Sequence, residues 1–173
     1  MPTLKVGPLM TSGKLHLETE RKRVVAVLDT NVFVAAYLSR NPNSPTKEIL
    51  TRWLNDEFDL LYSVDLQAEI AEKFAAKGVA QEATELLLAA LAIRGVRVEA
   101  PASAVVAIIS ADPDDDLVLA CAVVGGATHL VTYDPHFDVL GRTYQGIQIV
   151  DGLGFLGVLR SGSEQTKPQE GVH

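Results

Sequence analysis

Asp29 directly follows the apolar run Val24-Val25-Ala26-Val27-Leu28, and Asp134 stands two residues beyond a second run, His129-Leu130-Val131-Thr132. Acids so placed leave the carboxyl ends of strands, the edge of a parallel sheet where ligands gather. Asp115 lies in the first turn of a helical segment whose stripe continues through Leu119 and Ala122, so it points toward the core-side end of that helix. Glu69 lies in another helical segment near Leu66 and Phe74, at a position that can face inward. Four carboxylates converging on one pole repel each other unless a cation sits between them. Oxygen ligands without His or Cys suit Mg²⁺ or Mn²⁺ rather than zinc.

Each acid also has a plainer role. Asp29 can cap the helix that follows it. In Asp112-Pro113-Asp114-Asp115-Asp116 an aspartate cap, a proline at the first helical position and acids complementing the helix dipole account for the whole run. Cap and metal ligand are compatible roles for different members of it. Asp134-Pro135 reads as an ordinary turn and Glu69, taken alone, as a surface residue. His129 and His136 have no paired partner at metal-ligand spacing and read as structural or surface residues. Cys121, inside an apolar helix with no local His, reads as inert core.

The elements that must position these acids follow from the hydrophobic pattern. Residues 24–28 form a continuous apolar run of strand length, the mark of a strand buried on both faces. A helix is predicted from 31 to 40, broken by Asn41-Pro42-Asn43-Ser44-Pro45, and a second from 46 to about 56. Residues 58–62 read as a strand. Ser63 can cap a helix from 64 to about 76, stopped by Gly78; another runs from 82 to about 93 and ends at Gly95. Residues 96–98 read as a strand and 104–109 as either strand or helix. A helix then runs from Asp112-Pro113 to Gly125-Gly126, followed by strands at 129–132 and 147–150 and a short helix at 154–159. Strands alternating with helices predict an α/β fold: a three-layer α/β/α single domain with a mostly parallel central sheet. It occupies residues 24–160, between a basic mobile N-terminal arm (1–23) and a polar disordered tail (161–173).

The chain has 173 residues, 47% of them hydrophobic, enough for one domain with a core of its own and no need of disulfides. One cysteine fits a reducing compartment. No apolar run of membrane-spanning length and no signal-peptide core is visible, so a cytoplasmic protein is expected. Lys and Arg number 15 against 22 Asp and Glu, a net charge of −7, which at first speaks against a nucleic-acid partner. The distribution says otherwise. The first 23 residues carry five basic and two acidic residues, so the remainder stands at −10, and between Arg97 and Arg142 there is no Lys or Arg at all. The acidity is concentrated partly where cations would bind, and each divalent ion would offset two of those charges. Without cation such a site should repel a polyanion; with it, binding of one becomes feasible, helped by Arg21-Lys22-Arg23.

Val27-Leu28-Asp29-Thr30-Asn31-Val32, Leu66-Gln67-Ala68-Glu69-Ile70, Asp112-Pro113-Asp114-Asp115-Asp116 with Leu119-Ala120-Cys121-Ala122, and Leu130-Val131-Thr132-Tyr133-Asp134 together resemble the PIN-domain family of metal-dependent ribonucleases. Gly125-Gly126-Ala127, and Ile147-Gln148-Ile149-Val150 before Phe155-Leu156, extend the likeness to about residues 24–159. It is closest to the branch of toxin components of toxin–antitoxin systems. The resemblance implies hydrolysis of RNA phosphodiesters with one or two Mg²⁺ or Mn²⁺ ions. Asp29, Glu69, Asp115 and Asp134 would be the catalytic ligands, Asp116 an auxiliary one and Asp112 the helix cap, with Asn31 and Thr132 behind them orienting water or a carboxylate. It further implies a cognate antitoxin over the acidic site, presenting Arg to the carboxylates; the apolar helices 46–54 and 82–93 could form a homodimer surface.

Two rival classes remain. A non-catalytic module of the same fold could bind RNA or protein. A phosphoacceptor domain would want a Lys after a late strand, yet none occurs between Lys77 and Lys167.

Overall fold

Val25–Leu28 forms strand β1, and its Ala26, Val27 and Leu28 are fully buried, as a run without polar alternation requires. The computed structural model describes residues 22–109 and 112–164. After β1 come α1 (Thr30–Leu38), α2 (Pro45–Leu54), β2 (Asp59–Tyr62), α3 (Val64–Ala76), α4 (Gln81–Arg94), β3 (Val96–Arg97), α5 (Pro113–Val124), β4 (His129–Val131), β5 (Thr143–Tyr144), β6 (Ile147–Val150) and α6 (Gly152–Glu164). The strands form one six-stranded sheet in the order β3-β2-β1-β4-β6-β5, parallel except where β5 runs against β6. This is the expected three-layer α/β domain. Because β1 pairs with β2 on one side and β4 on the other, the chain reverses its winding at β1/β4, which opens a crevice at their carboxyl ends.

Local chemistry sets the boundaries. Ser44 and Ser63 cap α2 and α3 by accepting the N–H groups of Lys47 and Leu66, and Pro45 and Pro113 occupy first helical positions. At the end of α5, Gly126 adopts φ +68°, so that Gly126 and Ala127 donate back to the carbonyls of Val123 and Ala122. That turn needs a residue free to enter the left-handed region. It delivers Thr128 directly onto the carbonyl of Val25 and so starts β4 in register.

Below the sheet edge, α5 packs on β1, β2 and β4, and α6 on β4 and β6. Phe58 and Phe155 meet edge to face at 5.1 Å, a pairing worth about 1 kcal/mol beyond the area it buries. Helix α6 is longer than the expected 154–159 and carries the fold past residue 161, although four of its residues are glycines of low helix propensity. Arg160 on α6 grips Glu48 of α2 with two nitrogens, and Glu48 also takes Arg52 at 2.9 Å. Tertiary contacts hold the helix where propensity does not.

Beyond the Asp134-Pro135 turn, the stretch to 146, given no element from the sequence, contains a 3-10 turn (Pro135–Leu140) and β5. Residues 104–109, open between strand and helix, are neither over most of their length: a 3-10 turn at Ala102–Ala104 leads into irregular chain. Most of the expected arm and tail lies outside the described residues. Arg23, at the arm's end, binds Asp59 at 2.8 Å and Asp56 at 2.9 Å, where Asp56 takes a positive φ of 62°. In α2 the apolar Ile49 and Trp53 turn inward, whereas α4 leaves Leu86 and Ile93 exposed. No described helix is long and apolar enough to cross a membrane.

Candidate metal centre

The ladder runs one residue past β1 and β4, since Asp29 N–H donates to the carbonyl of Val131 and Thr132 N–H to that of Val150. Asp29 and Thr132 are thereby held side by side at the crevice. Asp29 Oδ1 accepts the N–H of Thr30 at 2.7 Å, which caps α1, while Oδ2 accepts the Thr132 hydroxyl at 2.8 Å. Cap and site residue are the same side chain. The Thr132 hydroxyl accepts in turn from the N–H of Asp134 at 2.9 Å, so one threonine ties the two strand-end acids together. Asp115 enters from the first turn of α5, and carboxylate oxygens of Asp29, Asp115 and Asp134 all lie within 4.8 Å of one another.

Asp29 is 2% and Asp115 5% exposed. Burial drives the Asp29 carboxyl above its ordinary range, against the Thr132 bond, and the charge of Glu69 adds to the rise. Asp115 is pushed up to about 6, first by burial and then by the charges of Asp134, Asp29 and Asp112, with the His136 bond opposing. Like charges crowded out of water form a hard, oxygen-rich donor set, the kind that suits a divalent cation such as Mg²⁺ or Mn²⁺.

The other expected residues are placed differently. Glu69 stands at the rim on α3, close enough to raise the pKa of Asp29, but its carboxylate is engaged by Lys73 one turn later at 2.6 Å and does not join the three-acid group. Burial disfavours the Lys73 charge, yet the bond and charge of Glu69, with Asp29 and Asp112 behind it, hold its pKa above the ordinary value. A pocket of about 170 Å³ opens here between α3 and α5, lined by Glu69, Glu72 and Asp114 among others. Asn31 is half-buried in the first turn of α1 and makes none of the hydrogen bonds of the site. Asp112 caps α5 through Oδ1, as expected.

Asp116 turns away from the group. Its Oδ1 accepts the backbone N–H groups of Ile108 and Ile109 at 3.1 and 2.9 Å, and so fastens the irregular segment to α5. Replacing it by alanine strands those donors and is expected to cost about 2–3 kcal/mol in a denaturant titration. Asparagine keeps the accepting oxygen, so Asp116→Asn is expected to restore most of that stability and leave cation affinity within twofold of wild type; an affinity loss as large as that of Asp29→Asn would make Asp116 a ligand.

His136 is in the site, contrary to its reading as a structural or surface residue. Its Nδ1 lies 3.1 Å from Asp115 Oδ2 and 3.3 Å from Asp134 Oδ1, and it forms a second compact group with Asp112 and Asp115. His129 bonds Thr128 beneath Phe155, and the buried Cys121 thiol is pushed up to about 12 by burial; both fit the structural roles given them.

A family model described as PIN domain matches residues 25–136, which span β1, all four expected acids and the start of the turn after β4. No curated protein matches the chain.

Proposed function

The chain belongs to the PIN-domain family, and on that premise we propose that it is a divalent-cation-dependent ribonuclease. PIN domains are generally metal-dependent nucleases, and the observation that carries the reading to this chain is the meeting of Asp29, Asp115 and Asp134 within 4.8 Å at the reversal point of the sheet. The donor set fits Mg²⁺ or Mn²⁺: two buried carboxylates with raised pKa, Asp29 and Asp115, and a third, half-buried one from Asp134. When bound, the cation supplies Lewis acidity toward an attacking water and charge neutralisation at the phosphate.

The side chains of the protein do the rest. Asp29, Asp115 and Asp134 hold the cation. Thr132 fixes the carboxylate of Asp29, and Asn31, on the neighbouring turn, is available to orient water. Glu69, paired with Lys73 at 2.6 Å at the rim beside Asp29, reaches a bound cation through water rather than directly. A water oxygen forms the new bond to phosphorus while the bond to the 3′ oxygen breaks, and the leaving oxygen takes up a proton, giving a 5′-phosphate and a 3′-hydroxyl.

The toxin role belongs to the same proposal. A cognate antitoxin would cover the acidic crevice and offer Arg to its carboxylates, a pairing of planar donors with planar acceptors; a small reading frame beside the gene would support it. A homodimer would use α4, where Leu86 and Ile93 are 67% and 81% exposed.

The purified chain with Mn²⁺ or Mg²⁺ is expected to cleave single-stranded RNA to 5′-phosphate ends, and to lose both cleavage and RNA binding in excess chelator. Cleavage that survives chelation, or that an Asp29→Asn preparation shows at the wild-type rate, would overturn the reading.

A further inference from the structure

Two overlapping sets of ligand atoms meet at Asp115. One is all oxygen, from Asp29, Asp115 and Asp134; the other joins Asp112 and Asp115 to the imidazole of His136. The turn that carries the imidazole is tightly built. Asp134 Oδ1 accepts the N–H of His136 at 2.9 Å, which folds Asp134-Pro135-His136 back on itself and brings the ring against α5. There Nδ1 stands 3.1 Å from Asp115 Oδ2 and 3.3 Å from Asp134 Oδ1. Adjacent ligands of a six-coordinate cation, each about 2.1 Å from it, are about 3 Å apart. The 3.1 Å spacing therefore suits the His136 nitrogen and the Asp115 oxygen sharing a cation as well as it suits a hydrogen bond, and Asp112 completes that group within 4.8 Å. Asp112 caps α5 through Oδ1 alone, which leaves its second oxygen for the same position.

We propose that His136 is a nitrogen ligand of the cation centre, and that Asp115 is shared between an all-oxygen position with Asp29 and Asp134 and a mixed position with Asp112 and His136. The assignment rests on the cation-dependent reading above and adds a preference to it. Carboxylates and water serve Mg²⁺ and Mn²⁺ alike, whereas an imidazole nitrogen favours the transition metal. The mixed position selects Mn²⁺ over Mg²⁺. To ligate, Nδ1 must present its lone pair, so the ring carries its proton on Nε2, the nitrogen turned from Asp115.

Electron spin-echo spectroscopy of Mn²⁺ bound to the full chain, with calorimetric titration of Mn²⁺ and Mg²⁺, reads this directly. Wild type is expected to show coupling to a directly bound ¹⁴N that vanishes in His136→Gln and His136→Asn. In both variants Mn²⁺ affinity is expected to fall about tenfold or more, with Mg²⁺ affinity nearly unchanged, so the Mn²⁺/Mg²⁺ ratio falls by about the same factor. Absence of nitrogen coupling in wild type, its persistence in the variants, or an unchanged ratio would overturn the assignment and leave His136 as a hydrogen-bonding strut for Asp115. In that event Mn²⁺ binding that still collapses in Asp29→Asn keeps the broader reading intact; a wild-type chain that binds no Mn²⁺ overturns both.

Discussion

Asp115→Asn is expected to lower cation-dependent RNA cleavage by about 10³-fold and, in the same preparation, to raise the melting temperature of the cation-free protein at pH 7.5. The two effects have one cause. Asp115 is buried against Asp29, Asp112 and Asp134, and its carboxyl is pushed up to about 6 from an ordinary 3.8. The folded chain therefore binds that proton more tightly than the unfolded chain does. A group of this kind contributes stability that is present below about pH 3.8 and lost as pH rises through about 6. Near neutrality, without cation, the folded state carries the penalty in full, on the order of 1–3 kcal/mol or about 2–12 °C for a chain of this size. Asparagine keeps the shape and removes the charge. The stabilisation should be visible in chelator at pH 7.5 and absent near pH 3.8. Saturating Mn²⁺ should reverse the order, because only the wild type gains binding energy from a ligand that favours the folded state. A variant less stable than wild type in chelator at pH 7.5 would mean that the carboxylate is held by favourable partners rather than crowded by like charges.

That crowding also explains how the net charge of −7 was to be read. A whole-chain sum treats acids as a uniform coat, whereas carboxylate oxygens of three of them lie within 4.8 Å of one another. Asp29 and Asp134 were legible because strand ends are legible: Val24–Leu28 has no polar alternation, so it had to be buried on both faces and Asp29 had to emerge at its end. The bounds of α3 were equally plain, with Ser63 to cap it and Gly78, at φ +75°, to stop it. Asp115 and Asp116 were harder to separate, since neighbours on a helix differ only by a rotation of about 100°. The stripe through Leu119 and Ala122 pointed Asp115 toward the core, and it is Asp116 that the irregular segment 105–109 uses as an anchor.

The features that escaped are those without a period. A single 3-10 turn cannot show one, and β5, two residues long, exists because Gln145 and Gly146 take positive φ and turn it back onto β6. His136 was missed for the same reason. Metal-ligand spacing in sequence is sought between histidines, yet the groups its ring approaches are aspartates: Asp115, distant in sequence on α5, at 3.1 Å and Asp134, two residues before it, at 3.3 Å. The Glu69–Lys73 pair, by contrast, sat at ordinary i, i+4 spacing and could have warned that Glu69 would be engaged at the rim.

Thr132→Val is expected to lower kcat by about 10–100-fold without changing the side chain's size, and that isolates what the hydroxyl does. Thr132 is buried, donates to Asp29 Oδ2 at 2.8 Å and accepts from Asp134 N–H at 2.9 Å. Valine fills the same space and does neither. The Asp29 carboxylate loses the bond that opposes its burial, so its raised pKa moves further up and the pH at which it takes a cation moves with it. The Asp134 N–H loses its acceptor, which frees the start of the turn that positions His136. Together the lost bonds should cost about 2 kcal/mol of stability. A purely structural role would produce that loss and nothing else. A positioning role predicts in addition a weaker Mn²⁺ affinity, a cation-binding midpoint shifted to higher pH, and recovery of both in Thr132→Ser, which keeps the hydroxyl and discards the methyl. If the valine variant melts earlier yet binds Mn²⁺ with wild-type affinity and an unshifted pH midpoint, Thr132 braces the strand ends and the alignment of Asp29 must come from its bond to the N–H of Thr30 alone.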